Sequence, residues 1–303
     1  MTADLVQQIK DLALGAGYIA CGVTTADPFP EFEREIKDRM ARFPEAADLY
    51  SWLLRRVDPR AKNPWANSIV ACVNWYGKFR IPDGLTGHIG RHYLFDRRAK
   101  ACPEYEMPRR MTAGLRELGF RTRRGGVPDR WAGARAGVTR FGRNCFAYSE
   151  RGSWITVETW LVDAELPPDE PVLEPGCPDG CRACVEACPT KALSEPFKMR
   201  WDHCIAHLTY GSPEPVPEEL WSKMGKWIYG CDVCQEVCPM NKGAWDPVEP
   251  APWIEEVAHL LQIEALAEMD ARTYAEVVHP LFWYIPVDNL ERWHRNARRA
   301  MGA

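Results

Sequence analysis

Apolar and polar positions alternate along the first half of the chain with two different periods. Leu5, Ile9, Leu12 and Leu14 fall on one side of a helical wheel, with Gln and Lys on the other, which predicts an amphipathic helix over residues 4–14. Gly15 and Gly17 supply its stop. Tyr18–Val23 reads as a short buried strand, Phe32–Phe43 as a helix, and Ser68–Tyr76 (SIVACVNWY) as the strongest strand of this half. Arg109–Leu118 predicts a helix and Trp154–Val162 a further strand. Helices alternating with strands at these distances predict an α/β first domain within a mixed α+β chain. Leu166–Pro178 holds five prolines and no helical pattern, so it reads as a linker. The last part is mostly helical, with Val257–Met269 the clearest helix and Leu290–Ala300 another.

These features divide the chain into residues 1–170, an α/β domain; 171–245, a cysteine-rich module; and 246–303, a C-terminal helical segment. The 303 residues suit about two domains, each with a real core. No apolar run approaches the roughly 20 residues of a spanning helix. The N-terminus carries acids and is not a signal peptide; Arg55-Arg56 lies too far inside to be a twin-arginine start, so a cytoplasmic protein is expected. A net charge of −4 argues against indiscriminate nucleic-acid binding. No GxGxxG follows a strand and no GxxxxGK[ST] occurs, which leaves a Rossmann site or a P-loop unsupported.

Eight of the twelve cysteines lie between residues 177 and 238. In a cytosolic chain, that density points to metal. The first motif is Cys177-x3-Cys181-x2-Cys184-x3-Cys188-Pro189, and the second is Cys231-x2-Cys234-x3-Cys238-Pro239. In two-cluster ferredoxins, the fourth Cys of each run ligates the other cluster. The two motifs supply seven ligands, and Cys204, between them, supplies the eighth. The expected assignment is Cys177, Cys181, Cys184 and Cys238 on one [4Fe–4S] cluster and Cys188, Cys204, Cys231 and Cys234 on the other. The x3 gap, where x2 is usual, is absorbed by a Pro178-Asp179-Gly180 turn. Two four-cysteine zinc sites are the alternative, but they leave the two CxxxCP ends and the interleaving unexplained. Cys21, Cys72, Cys102 and Cys145 read as structural thiols.

The segments CRACVEACPTKAL (181–193), WDHCIAHLTYG (201–211) and IYGCDVCQEVCPMNK (228–242) resemble the cobalamin-dependent epoxyqueuosine reductases, whose plan the reductive dehalogenases share. The likeness continues through ARAGVTRFGRN (134–144), GSW (152–154) and LVDAELPPDEPV (161–172), and reaches LERWHRNARRA (290–300). It implies a nitroreductase-like α/β domain that binds cobalamin, then a ferredoxin-like module with two [4Fe–4S] clusters, then C-terminal helices. It implies electrons passing from an external donor such as ferredoxin or flavodoxin, through the clusters, to a base-off cobalamin. Gly137, Gly142, Arg143, Asn144 and Ser153 are the expected cobalamin contacts.

The chain departs from that family where its substrate chemistry lies. The family's Asp-Ser-x-Pro proton donor has no counterpart: Arg123 stands near its place, and Asp129 is the nearest acid. Arg91-His92-Tyr93 and Asp96 only echo the family's Gly-Arg-Asp-Tyr-His stretch. Tyr148, His207 and Asp129 are the expected proton-donor candidates, with Asp96 behind them and Tyr148 preferred. The alternative is that Tyr148 packs and His207 bonds a sulfur or a carbonyl. Residues 109–143 hold ten arginines against two acids, either a solvated face or an anion site. Three functions follow from this reading: a cobalamin- and iron–sulfur-dependent reductase with its own substrate, small molecule or tRNA; an electron-transfer protein serving a partner's corrinoid; or a cytosolic reductive dehalogenase.

Overall fold

The computed structural model describes residues 2–212 and 216–302. The chain packs into two compact units built from interleaved segments: residues 1–77, 106–181 and 239–244 form one, and 78–105, 182–238 and 245–303 the other. Packing therefore divides the chain along lines other than its linear sequence features.

In the first unit, helix α1 (Thr2–Ala16) leads into β1 (Ala20–Thr25), and α2 (Pro30–Arg42) follows with proline at its start and acids in its first turn. Then come β2 (Ser68–Trp75), α3 (Met107–Glu117), β3 (Thr122–Arg124), α4 (Asp129–Arg135), the hairpin of β4 (Arg140–Phe141) and β5 (Ala147–Tyr148), and β6 (Ile155–Val162). Four strands form one sheet in the order β1-β2-β6-β3, antiparallel at each pairing. Val23, Val70, Cys72, Trp160 and Val162 meet Val6, Ile9 and Ala13 of α1 and Met107, Met111 and Leu115 of α3 in one core. The i, i+4, i+8 spacing on α3 puts its three side chains on one face. Gly22 makes room for the segment after α4: a Cβ there would lie 2.1 Å from the Ala136 carbonyl oxygen.

The second unit carries α5 (Ala183–Ala187), the hairpin of β7 (Leu193–Glu195) and β8 (Lys198–Met199), α6 (Glu218–Trp221), α7 (Val233–Glu236) and α8 (Leu290–Met301). The short helices α5 and α7 pack against each other. The pattern over 257–269 does not yield one helix. A 3-10 turn, Ala258–Leu261, gives way at extended Gln262 to a separate helix, Ile263–Ala267. Buried His88 sits at the break, its Nε2 3.0 Å from the Leu261 carbonyl oxygen.

Candidate functional site

The cysteine segments are shaped by local rules. Cys184 lies in α5 and Cys234 in α7, and each helix ends just before a Cys-Pro pair. A residue preceding proline is pushed out of helical backbone, and Cys188 is extended at φ −60°, ψ 113°. Each motif's last thiol thus leaves its own helix. In the first unit, the Cys181 N–H donates to the Pro178 carbonyl (3.1 Å) with Gly180 at φ +69°, so the additional residue of the first gap sits in a tight turn.

Within the second unit, Cys184, Cys188, Cys204 and Cys231 all lie near enough to Cys234 to act on it electrostatically. Burial pushes the Cys231 thiol well up, and Cys204, Asp232 and Cys188 push it further. Burial does the same to Cys234, with Cys231, Cys204, Cys188 and Cys184 adding to it. Cys231 and Cys234 ionise in such a setting only beside compensating positive charge, which is the chemistry of an iron–sulfur ligand set. Among the described residues, no three such side chains close on a point the size of a single metal ion. Backbone N–H groups aim at two of the sulfurs: Leu193 donates to Cys188 Sγ (3.5 Å) and, in the first unit, Arg143 donates to Cys177 Sγ (3.2 Å).

The second motif's surroundings are explained by packing. Tyr229 stacks on buried Trp293, with centroids 4.8 Å apart and planes 4° apart. Gly230 adopts φ +79°, its N–H donates to Thr209 Oγ1 (2.9 Å), and a Cβ there would lie 2.2 Å from the Tyr93 ring. Asp232, buried, accepts from the Arg91 N–H (2.8 Å); burial pushes its carboxyl up to about 7. Arg91 and Tyr93 therefore pack on the cysteine motif, and Asp96 is held by Arg98 at 2.5 Å. Asn241, in the first unit, accepts from the Ser153 N–H (2.8 Å) and donates to its Oγ (2.9 Å).

The five expected cobalamin contacts are engaged inside the first unit. A Cβ on Gly137 (φ +73°) would meet the Glu170 carbonyl oxygen at 2.5 Å, and one on Gly142 would meet the Tyr148 ring at 2.3 Å. Asn144 caps its own turn and donates to the Tyr148 hydroxyl (2.8 Å). Ser153 is held by Asn241. The Arg143 guanidinium donates to the Cys181 carbonyl at 2.5 Å. These residues shape their own loops.

Tyr148 and Asp129 belong to the first unit and His207 to the second. Tyr148 is 1% exposed, in the β4–β5 hairpin. Asp129, half-buried at the start of α4, accepts from Thr159 Oγ1 (2.6 Å); burial raises its carboxyl above the usual range. His207 belongs to the other unit, where burial lowers its pKa and keeps it neutral near pH 7. A raised folded-state pKa means that Asp129 costs no stability below the ordinary aspartate value. Stability falls as pH rises from there through the folded-state value. Urea unfolding midpoints across this range should therefore decline in the parent and flatten in Asp129→Asn; equal slopes would refute the raised carboxyl.

Arg123, near the place of the missing acid, lies on edge strand β3 and donates to Asn63 (2.9 Å). Several other arginines of 109–143 are likewise used by the fold: Arg121 over Trp65, Arg124 on Glu158, Arg130 on the Cys145 carbonyl, and Arg135 on Glu31. One pair escaped the sequence reading. Cys21 and Cys72 are direct cross-strand partners, with their sulfurs 3.7 Å apart.

Residues 177–241 match the 4Fe-4S double cluster binding domain family. The chain is 32% identical over 255 residues to epoxyqueuosine reductase of Staphylococcus aureus, covering 80% of this chain and 66% of that protein. It is 28% identical over 257 residues to epoxyqueuosine reductase of Cellulophaga algicola, covering 80% and 81%. A solved epoxyqueuosine reductase structure superposes at a TM-score of 0.78, with 26% identity, over 99% of this chain and 82% of that one. Another, solved with an epoxyqueuosine-modified stem loop of tyrosine tRNA, gives 0.77 with 26% identity over the same shares.

Proposed function

We propose that this chain, which belongs to the epoxyqueuosine reductase family, is an iron–sulfur oxidoreductase that moves electrons from an external donor through two [4Fe–4S] clusters to cobalamin and an oxidised substrate. The observation carrying this reading is the gathering of Cys184, Cys188, Cys204 and Cys231 about Cys234. Cys188, Cys204, Cys231 and Cys234 hold one cluster; Cys177, Cys181, Cys184 and Cys238 hold the other. N–H donors on cluster sulfurs raise a reduction potential, so Arg143 tunes the cluster of Cys177 and Leu193 that of Cys188. Among the described residues, no helix is long and apolar enough to cross a membrane.

Cobalamin enters through family membership, and it supplies a strong two-electron reducing centre when bound. This chain's own part is then to hold the proton that a two-electron reduction of a neutral substrate consumes. Tyr148 is the proposed donor: Asn144 fixes its oxygen and Gly142 its ring. Tyr148→Phe should lower turnover at least a hundredfold with iron content and corrinoid binding unchanged. Normal turnover in that variant, with loss in Asp129→Asn, would move the role to Asp129.

The internal engagement of Gly137, Gly142, Arg143, Asn144 and Ser153 favours a second reading, electron transfer to a corrinoid held by a partner protein. Titration of the iron-loaded chain with cobalamin separates the two. A stoichiometric change of the corrin spectrum to its base-off form supports the reductase, and an unchanged spectrum with intact clusters leaves electron transfer.

A further inference from the structure

The cross-strand pair of Cys21 and Cys72 lies outside both cysteine motifs and has no part in the chemistry described so far. Its geometry follows from the ladder between β1 and β2. The Ala26 N–H donates to the Asn67 carbonyl (3.0 Å), continuing the register in which even-numbered residues of β1 bond to β2. Val23 turns its backbone the other way: its N–H donates to Asp169 Oδ2 (2.8 Å), and its carbonyl accepts from the Asp169 N–H (2.9 Å). Cys21, two residues before Val23, shares that orientation. Cys21 and Cys72 therefore form a non-hydrogen-bonded pair, the closer kind, with Cα atoms about 4.5 Å apart. Disulfides accept Cα separations of about 4.4–6.8 Å. The two sulfurs are already 3.7 Å apart.

The two thiols are unequal. Cys21 is half-buried on an edge strand, and Cys72 is wholly buried on the strand inside it. The other direct partner of Cys72 is Glu158 on β6, whose buried carboxylate accepts from the Tyr18 hydroxyl (2.6 Å) and pairs with Arg124 (2.7 Å). Burial pushes the Cys72 thiol well up, and Cys21 and then Glu158 push it further. Cys72 thus stays protonated, while Cys21 meets a small reagent from solvent first. An attacking and a resolving cysteine divide their work in this way.

We propose that Cys21 and Cys72 are a reversible redox couple, which a small hydroperoxide oxidises to a cross-strand disulfide. The Cys21 sulfur attacks one peroxide oxygen, the O–O bond breaks, and water or an alcohol leaves, giving Cys21 sulfenic acid. The Cys72 sulfur then displaces the hydroxyl, which departs as water with the Cys72 proton. Two thiols lose two electrons, and the hydroperoxide takes them up. The new bond spans 51 positions of sequence, ties β1 to β2 and is undone by a dithiol reductant. Neither thiol is among the proposed cluster ligands, so the inference stands apart from the iron–sulfur reading.

The iron-loaded full chain should be treated anaerobically with hydrogen peroxide, then denatured, alkylated and digested with trypsin without reduction. Cys21 and Cys72 fall in separate tryptic peptides, residues 11–34 and 63–78, each with one cysteine. Mass spectrometry is expected to find the two peptides joined, lighter than their sum by two hydrogen atoms, and released by dithiothreitol. In Cys72→Ser, Cys21 should instead accumulate as a sulfenic acid that dimedone traps. In Cys21→Ser, Cys72 should form no cross-link. The parent digest decides even where a variant fails to fold. Recovery of both peptides as alkylated thiols, in the amounts found without peroxide, would overturn the inference, as would Cys21 joined chiefly to a cysteine other than Cys72.

Discussion

Replacing Cys204 by Ser should remove about half of the iron, from about eight atoms per chain to about four, while the other cluster survives. Cys204 lies outside both cysteine motifs, and it acts electrostatically on Cys231 and Cys234. The two clusters share no ligand in the proposed assignment, so the loss should be confined to the set of Cys188, Cys204, Cys231 and Cys234. Iron analysis with a visible spectrum of the purified variant reads this directly. Full iron and an unchanged spectrum would show that Cys204 is not a ligand and that the eighth thiol lies elsewhere.

Asn296→Leu should lower stability by roughly 3 kcal/mol, since each buried acceptor stranded costs about 1–3 kcal/mol. Asn296, 1% exposed on α8, donates from Nδ2 to the carbonyls of Thr209 (2.8 Å) and Ile228 (2.9 Å). The first carbonyl is on the helical turn after Cys204, and the second is three residues before Cys231. The Thr209 hydroxyl closes the loop by accepting from the Gly230 N–H. One side chain thus joins the two segments that carry Cys204 and Cys231. The urea midpoint should fall, and iron should be lost faster to a chelator from that cluster. An unchanged midpoint would mean that the two carbonyls find other donors.

The cysteine chemistry was legible because ligand spacing is local and a Cys-Pro pair sets its own backbone. The strands at 68–76 and 154–162 were legible because their apolar runs are long, and both form within a residue of the expected bounds. What sequence could not show was set by distant partners. The Cys21–Cys72 contact requires the register of β1 on β2. The helix expected over 257–269 is broken at Gln262, beside a carbonyl that meets His88, far back in the chain. The arginine run of 109–143 read as either a solvated face or an anion site, and Arg124, Arg135 and Arg143 are each committed to a partner remote in sequence. The motif's Tyr-Gly and its trailing Asn carried the family resemblance, but their physical roles required Trp293, Tyr93 and Ser153 to be in place.

The central claim is that the cysteines hold two cubane clusters that make this chain an oxidoreductase. Quantifying iron, zinc and acid-labile sulfide in anaerobically purified protein tests it most directly. The account predicts about eight iron and about eight sulfide per chain, with a broad visible absorption that bleaches on reduction. About two zinc per chain, with little iron or sulfide, would contradict it.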